Sequence, residues 1–372
     1  MSRHGVRIAS VGCALPEHRY EQATLTAALG RALATRGLES RRLEQLHRNM
    51  RVERRHLALP LEAYEGLDSF GASNDAFIRC GLDLGARAVA DGLERAGLDA
   101  TDVDHLFFVS VTGVATPSLD AGLVNRLPLR PDVKRTPMFG LGCVGGAAGV
   151  ARASDYLRAF PDQVAVLLSV ELCSLTLQRD DPSIANLIAS GLFGDGAAAA
   201  VLVGHGRPTN CSSAPTVVAT RSIFYPDTED VMGWSVGGDG FRVVLSADVP
   251  AVVEANVGTD VDAFLADHGL TRRDVSTWIA HPGGPRVLEA LEEALALPDD
   301  ALHRTWRSLA TIGNLSSASV LMILRDAILE GRPASGEWAL MLAMGPGFCS
   351  ELVLLRGRPS GRRQDAGARS PL

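Results

Sequence analysis

Two stretches of the chain follow one plan. An apolar strand leads into a glycine-bearing turn, the turn carries one chemically capable side chain, and a helix rich in alanine, glycine and serine follows. The first stretch is Met138-Phe139-Gly140-Leu141-Gly142-Cys143, followed by the small-residue segment Val144 to Ala159. The second runs from Leu309 to Ile312 through Gly313-Asn314 into Ser316 to Glu330. Helices with so few large side chains suit burial on both faces between sheets, so the repeated plan implies two related α/β halves in five layers.

The remaining pattern agrees. Apolar strands are expected at Val6 to Ala14, His105 to Val111, Gln163 to Val170 and Ala197 to Val203, the last after the turn Gly194-Asp195-Gly196. Helical spacing is expected over Tyr20 to Arg36 and over Ser73 to Ala96, the latter ended near Gly97. After the Pro/Ser/Thr-rich link from Gly206 to Pro215 the pattern restarts. It gives strands at Thr216 to Phe224, Thr277 to Ala280, Trp338 to Ala343 and Glu351 to Arg356. Helices are expected over Asp248 to His268 and Arg286 to Ala296. The halves are therefore 1–205 and 216–356, with a polar tail over 357–372.

Composition narrows the function. Of 372 residues, 46% are hydrophobic and 21% charged, enough to bury a large core. A net charge of −7 argues against general nucleic-acid binding, which needs a basic face. Nearly all the cations are arginine, with Lys134 the one lysine. The six cysteines form no CxxC pair, as expected of a reduced cytoplasmic protein, and no Cys/His spacing suggests a metal. No secretory leader is expected before Pro16, and apolar runs such as Ala197 to Val203 are far shorter than the roughly 18 residues a spanning helix needs.

Three residues carry candidate chemistry. Cys143 precedes a helix, where the dipole favours a thiolate; alone it reads equally as a buried structural cysteine. His281 ends an apolar strand at the turn His281-Pro282-Gly283-Gly284; alone it reads as a turn-capping histidine. Asn314 alone reads as a helix N-cap. Together they supply a thiol to carry an acyl chain, an imidazole to partner it and an amide donor for an enolate oxygen.

The motifs GCVGGAAG (142–149), LFGDGAAA (192–199), WIAHPGGP (278–285), GNLSSAS (313–319) and MGPGF (344–348) resemble those of the type III polyketide synthases, the chalcone synthase-like enzymes, over roughly residues 5–356. The resemblance implies a thiolase-like αβαβα fold, a homodimer and a Cys143–His281–Asn314 triad. It implies acyl-CoA and malonyl-CoA as substrates, with no carrier protein, metal or organic cofactor. By the same resemblance, Phe193 guards the CoA tunnel, Pro346 shapes the cavity wall beside Ser316, and Arg48, Arg51 and Arg55 hold CoA phosphates. A solvated helix face is the plain alternative for the arginines. Val111, Thr112, Thr116 and Cys173 fall on cavity-lining positions. Val243 stands where plant members carry a second gatekeeping phenylalanine. With small Cys173 and Thr116, this implies room for an aliphatic chain, and Glu229 to Leu245 is similar to members that take fatty acyl starters. An alkylpyrone or alkylresorcinol product is therefore expected. The alternatives are a malonyl-CoA-only synthase of the dihydroxyphenylacetyl type and a single-condensation ketoacyl carrier-protein synthase III.

Two other readings fare worse. Gly140 to Gly145 fits a dinucleotide fingerprint with Glu171 as its acid. That motif normally opens its domain, and the reading leaves His281 and Asn314 without a role. A non-catalytic subunit on the same fold is disfavoured by the presence of all three triad residues.

Overall fold

The computed structural model describes residues 5–33, 40–208 and 214–358. The end of the expected helix past residue 33, most of the link with Cys211, and the tail from residue 359 lie outside them.

In chain order the first half comprises β1 (Val6–Ala14), β2 (His18–Glu21), α1 (Gln22–Leu33), α2 (Ser40–Asn49), β3 (Arg54–Leu57), α3 (Phe70–Ala96), β4 (His105–Val109), α4 (Leu119–Arg126), β5 (Lys134–Met138), α5 (Gly145–Ala159), β6 (Val164–Leu172), α6 (Ile184–Leu192) and β7 (Asp195–Val203). The second comprises β8 (Thr216–Phe224), β9 (Met232–Gly237), β10 (Gly240–Leu245), α7 (Val249–Ala266), β11 (Val275–Ala280), α8 (Pro285–Leu295), α9 (His303–Ile312), α10 (Ser317–Leu329), β12 (Trp338–Gly345) and β13 (Cys349–Arg356).

Strand order is β11-β12-β13-β8-β1-β7-β6-β4-β5. Within the large sheet the two halves meet where Val6 and Arg7 of β1 pair with Val217 and Thr216 of β8. Alternate residues along each strand face opposite layers, which divides the apolar interior into three cores. The central core holds α5, α10 and one face of both strand sets, as in Phe107, Leu167 and Ala200 against Val150, Leu321 and Met341. The opposite face of the first strand set, with Leu106, Leu168 and Val201, packs on α3. The opposite face of the second, with Leu340, Leu342 and Leu354, packs on α7 and α8. These are the five layers.

Local chemistry explains several boundaries. Ser69 Oγ accepts from Ala72 N at the start of α3. At its end Gly97 adopts the left-handed conformation, with φ 65°, and Leu98 N bonds back to Leu93 O. Close packing of β1 on α3 requires glycine: a methyl on Gly12 would lie 2.2 Å from Ala88 O.

Three features depart from the sequence expectation. The segment from Tyr20 begins as strand β2, paired with β3, before α1 starts. Helix α9 ends at Ile312, where the sequence pattern implies a strand before Gly313-Asn314; its buried side is Arg304, Thr305, Ser308 and Leu309, so polar residues mask the helical apolar period. The hairpin β9–β10, joined across Gly238-Asp239, forms a separate two-stranded sheet. Among the described residues no helix is long and apolar enough to cross a membrane, and no group of three or more His, Cys, Asp or Glu has metal-holding geometry.

Candidate active site

Cys143 sits in a single 3-10 turn, Gly142–Val144, between β5 and α5. Gly142 has φ 52°, and a methyl there would lie 2.5 Å from Pro346 Cδ, so the MGPGF loop packs directly behind the cysteine. The Sγ lies 3.6 Å from Ser316 Oγ. His281 follows β11, its backbone N–H held by Leu342 O at 2.9 Å. Asn314 follows α9. Its N–H donates to Leu192 O and its carbonyl accepts from Gly194 N, both at 2.9 Å, which stitches it to the Phe193 loop of the first half. Its Oδ1 accepts from Ser316 N at 2.8 Å, so Oδ1 is occupied and Nδ2 remains a donor.

These side chains line one small cavity of about 50 Å³. Cys143, His281, Asn314, Ser316, Phe193, Val243 and Pro346 all contribute, with Met232 and Trp234 from the hairpin as further wall. Phe193, Trp234 and Val243 also bound a second cavity of about 550 Å³, lined by Cys173 and extending between α1 and α6. The space expected beside Val243 and Cys173 is therefore present.

Other expected residues lie elsewhere. Val111 and Thr112 line neither cavity: Val111 N and Thr112 Oγ1 donate to buried Glu171 at 3.1 and 2.9 Å, and Thr112 Oγ1 accepts from Leu172 N. Thr116 is exposed and lines neither. The three arginines also separate. Arg48 is exposed beside Gln45, while Arg51 bonds Glu289 at 2.6 Å and lies 4.9 Å over Trp306. Val287, two residues before Glu289 on α8, lines the catalytic cavity, whereas Arg51 lines neither cavity. Arg55 is 4% exposed, donates to Gln22 Oε1 and to the Phe193 carbonyl, and lines the second cavity rather than the surface that carries Arg48 and Arg51.

Burial controls the charges. It pushes the Cys143 thiol up to about 12, against the Ser316 hydrogen bond, while Glu171 adds to the rise. Burial also holds His281 down at about 3, and neither ring nitrogen has a hydrogen-bond partner among the described residues. The resting pair is thus an uncharged thiol and an uncharged imidazole, although the helix-start position alone points to a thiolate. Glu171, considered in the sequence only as a nucleotide ligand, is instead a buried acid pushed up to about 7 by desolvation. It accepts from Ser317 Oγ at the start of α10, a pairing of residues 146 positions apart that no local sequence signal marks. The arrangement offers a nucleophile, a base able to take its proton, and amide and hydroxyl donors around one enclosed point.

The chain is similar to known proteins over nearly its whole length. Residues 2–207 match the family model of the chalcone and stilbene synthases, N-terminal domain, and residues 216–359 match the C-terminal domain. The chain is 54% identical over 352 residues to a 1,3,6,8-tetrahydroxynaphthalene synthase of Streptomyces peucetius subsp. caesius, covering 95% of this chain and 93% of that one. It is 38% identical to a putative chalcone synthase of Bacillus subtilis (strain 168), covering 93% and 97%. The crystal structure of the 1,3,6,8-tetrahydroxynaphthalene synthase of Streptomyces coelicolor A3(2), titled a bacterial type III polyketide synthase, superposes with a TM-score of 0.88 at 30% identity, covering 95% and 99%.

Proposed function

The chain belongs to the chalcone and stilbene synthase family, the type III polyketide synthases, and from that premise we propose that Cys143, His281 and Asn314 perform the acyl transfer and condensation. The observation that carries this is the convergence of a thiol from one half with an imidazole and a carboxamide from the other on one cavity.

As Cys143 Sγ attacks a CoA thioester, neutral His281 takes its proton. The imidazolium then returns a proton to the departing CoA sulfur, leaving the acyl group on Cys143. A malonyl-CoA entering next loses CO2. Its enolate oxygen is held by Asn314 Nδ2 and the His281 N–H, in a site where dry surroundings strengthen each hydrogen bond. The enolate carbon bonds to the Cys143 thioester carbonyl, Sγ leaves as the thiolate, and the lengthened chain is carried on CoA for another round. Arg51 and Arg48 hold CoA phosphates at the surface. The protein works as a homodimer: β5 is a free sheet edge, and Phe139 beside it is 59% exposed.

The 54% identical relative, a 1,3,6,8-tetrahydroxynaphthalene synthase, supports a first reading of the product class: malonyl-CoA alone, extended and closed to a polyhydroxynaphthalene. The 550 Å³ cavity favours a second reading, a fatty acyl starter giving an alkylpyrone or alkylresorcinol. Product masses decide. Incubation with malonyl-CoA alone yields tetrahydroxynaphthalene on the first reading. On the second, product forms only when octanoyl-CoA is added. A single condensation product, or no decarboxylation of malonyl-CoA, overturns both.

A further inference from the structure

The larger cavity has two unlike ends. Its charged outer residues Arg31, Glu62 and Glu65 are solvent-exposed, and Leu25, Leu29 and Leu177 form apolar wall. At the inner end stands Arg55. Its stem packs under the triad loop, so that a methyl on Gly313 would lie 3.1 Å from both Cγ and Cδ. Its Nε and Nη1 are bound by Gln22 Oε1 and the Phe193 carbonyl. Nη2 makes no hydrogen bond, and no carboxylate is within salt-bridge distance, among the described residues. Asp195, the acid whose charge acts on Arg55, is already engaged by Ala58 N, Ser174 N and Ser174 Oγ. The Tyr64 hydroxyl, 2.5 Å from Ser174 Oγ, lines the same cavity.

A guanidinium this enclosed, with one face of its fork unused and no carboxylate bonded to it, is only partly compensated by the charge of Asp195, and a bound anion would complete the pairing. An alkyl chain would leave that face of the fork unpaired. A poly-β-keto chain would not: it carries an oxygen on every second carbon, and each methylene between two carbonyls is acidic, so its enolate oxygens suit a planar fork. The two cavities adjoin at Phe193, Trp234 and Val243, the side on which a chain attached at Cys143 would grow toward this end.

We propose that Arg55 binds an oxyanion at the distal end of the substrate chain, either an enolate of the poly-β-keto backbone or a terminal carboxylate, and so selects against plain alkyl chains. The proposal rests on the reading of Cys143 as the acyl carrier.

The full-length wild type, Arg55→Met and Arg55→Lys are compared on malonyl-CoA alone, on malonyl-CoA with octanoyl-CoA, and on malonyl-CoA with suberyl-CoA, the mono-thioester of the eight-carbon diacid. Methionine keeps the stem that packs on Gly313 and removes the charge. In Arg55→Met, malonyl-only or suberyl-primed product falls roughly tenfold relative to octanoyl-primed product, the scale of a lost charged hydrogen bond, and lysine restores part of it. A shift confined to the malonyl-only product identifies the enolate as the ligand, and one confined to suberyl priming identifies the carboxylate. Unchanged ratios, or a parallel fall on all three routes, overturn the proposal. Should Arg55→Met not fold, Arg55→Gln carries the test: the same ratio falls at least about twofold, and an unmoved ratio overturns the proposal. A wild type that turns over none of the three mixtures overturns instead the reading of the catalytic site.

Discussion

Replacing Gly146 with alanine tests whether the central helix pair sets the catalytic geometry. Gly146 lies one residue into α5, three beyond Cys143, where α5 crosses α10. A methyl there would sit 2.2 Å from Ser317 O and 2.8 Å from Val320 Cγ1, and the first of these is backbone that no rotamer change can move. Ordinary contact requires the crossing to open by about 1 Å. Overpacking of this kind costs about 1–3 kcal/mol, which in a chain of 372 residues lowers Tm by about 1–4 °C. The functional effect is larger, because the same movement separates Cys143, at the start of α5, from Ser316 and Asn314, at the start of α10. A misplacement of about 1 Å between reacting groups costs roughly 100-fold in rate. Gly146→Ala should therefore unfold only slightly earlier by calorimetry, yet load an acyl group from CoA on Cys143 roughly 100-fold more slowly by quenched-flow mass spectrometry. Loading within about twofold of wild type would refute the claim that this crossing holds the halves of the site in register.

Other perturbations separate the remaining roles. Cys143→Ala removes the acyl carrier, and intact-protein mass spectra should show no adduct after incubation with acyl-CoA; an adduct that persists places the carrier elsewhere. His281 is held at about 3 by burial, below its unfolded 6.5, so its contribution to stability is complete above pH 6.5 and is lost as pH falls from 6.5 toward 3. By pH 4.5 the loss is about 3 kcal/mol, and His281→Asn should show a shallower fall in Tm over that window; parallel curves would exclude the assignment. Arg51→Ala should raise KM for malonyl-CoA about two- to tenfold while changing kcat less, with the difference shrinking in high salt; a fall in kcat alone would place Arg51 outside the CoA site.

Legibility from sequence followed physical cause. Strands β1, β8 and β12 and helices α3, α5 and α10 are apparent because their side chains face apolar layers with a regular period. Helix α9 is not, since it turns Arg304, Thr305 and Ser308 inward. Cys143 and Asn314 stand out because each follows a glycine just before a small-residue helix, and His281 because it ends an apolar strand ahead of a Pro/Gly turn. Their immediate neighbours are harder. Val111 and Thr112 fall on cavity-lining positions by resemblance, yet Glu171 draws their donors away from the cavity. Arg55 belongs by spacing with Arg48 and Arg51, but β3 turns it inward while the other two stay at the surface. Such outcomes depend on pairings between residues far apart in the chain, and composition and period carry no record of them.

The two-halved construction also bears on how a buried thiol can become a nucleophile. Raising the Cys143 thiol from 9 to about 12 corresponds to about 4 kcal/mol against the thiolate. Helices α5 and α10 both begin at the cavity, one just after Cys143 and the other just after Asn314 and Ser316. Each N-terminus carries a partial positive charge that favours an anion by about 0.3–2 kcal/mol, more in partly buried settings. Two helices directed at one point recover a substantial part of the desolvation cost, and they do so equally for a thiolate and for an enolate. Glu171 works in the opposite sense, since its charge raises the Cys143 thiol; bonded to Ser317 and pushed up to about 7, it gives up a proton near neutrality. The protonated Glu171 leaves the field of the two helices unopposed. The ionised form weakens that field, so the anionic steps at Cys143 are electrostatically favoured on the acid side of about pH 7.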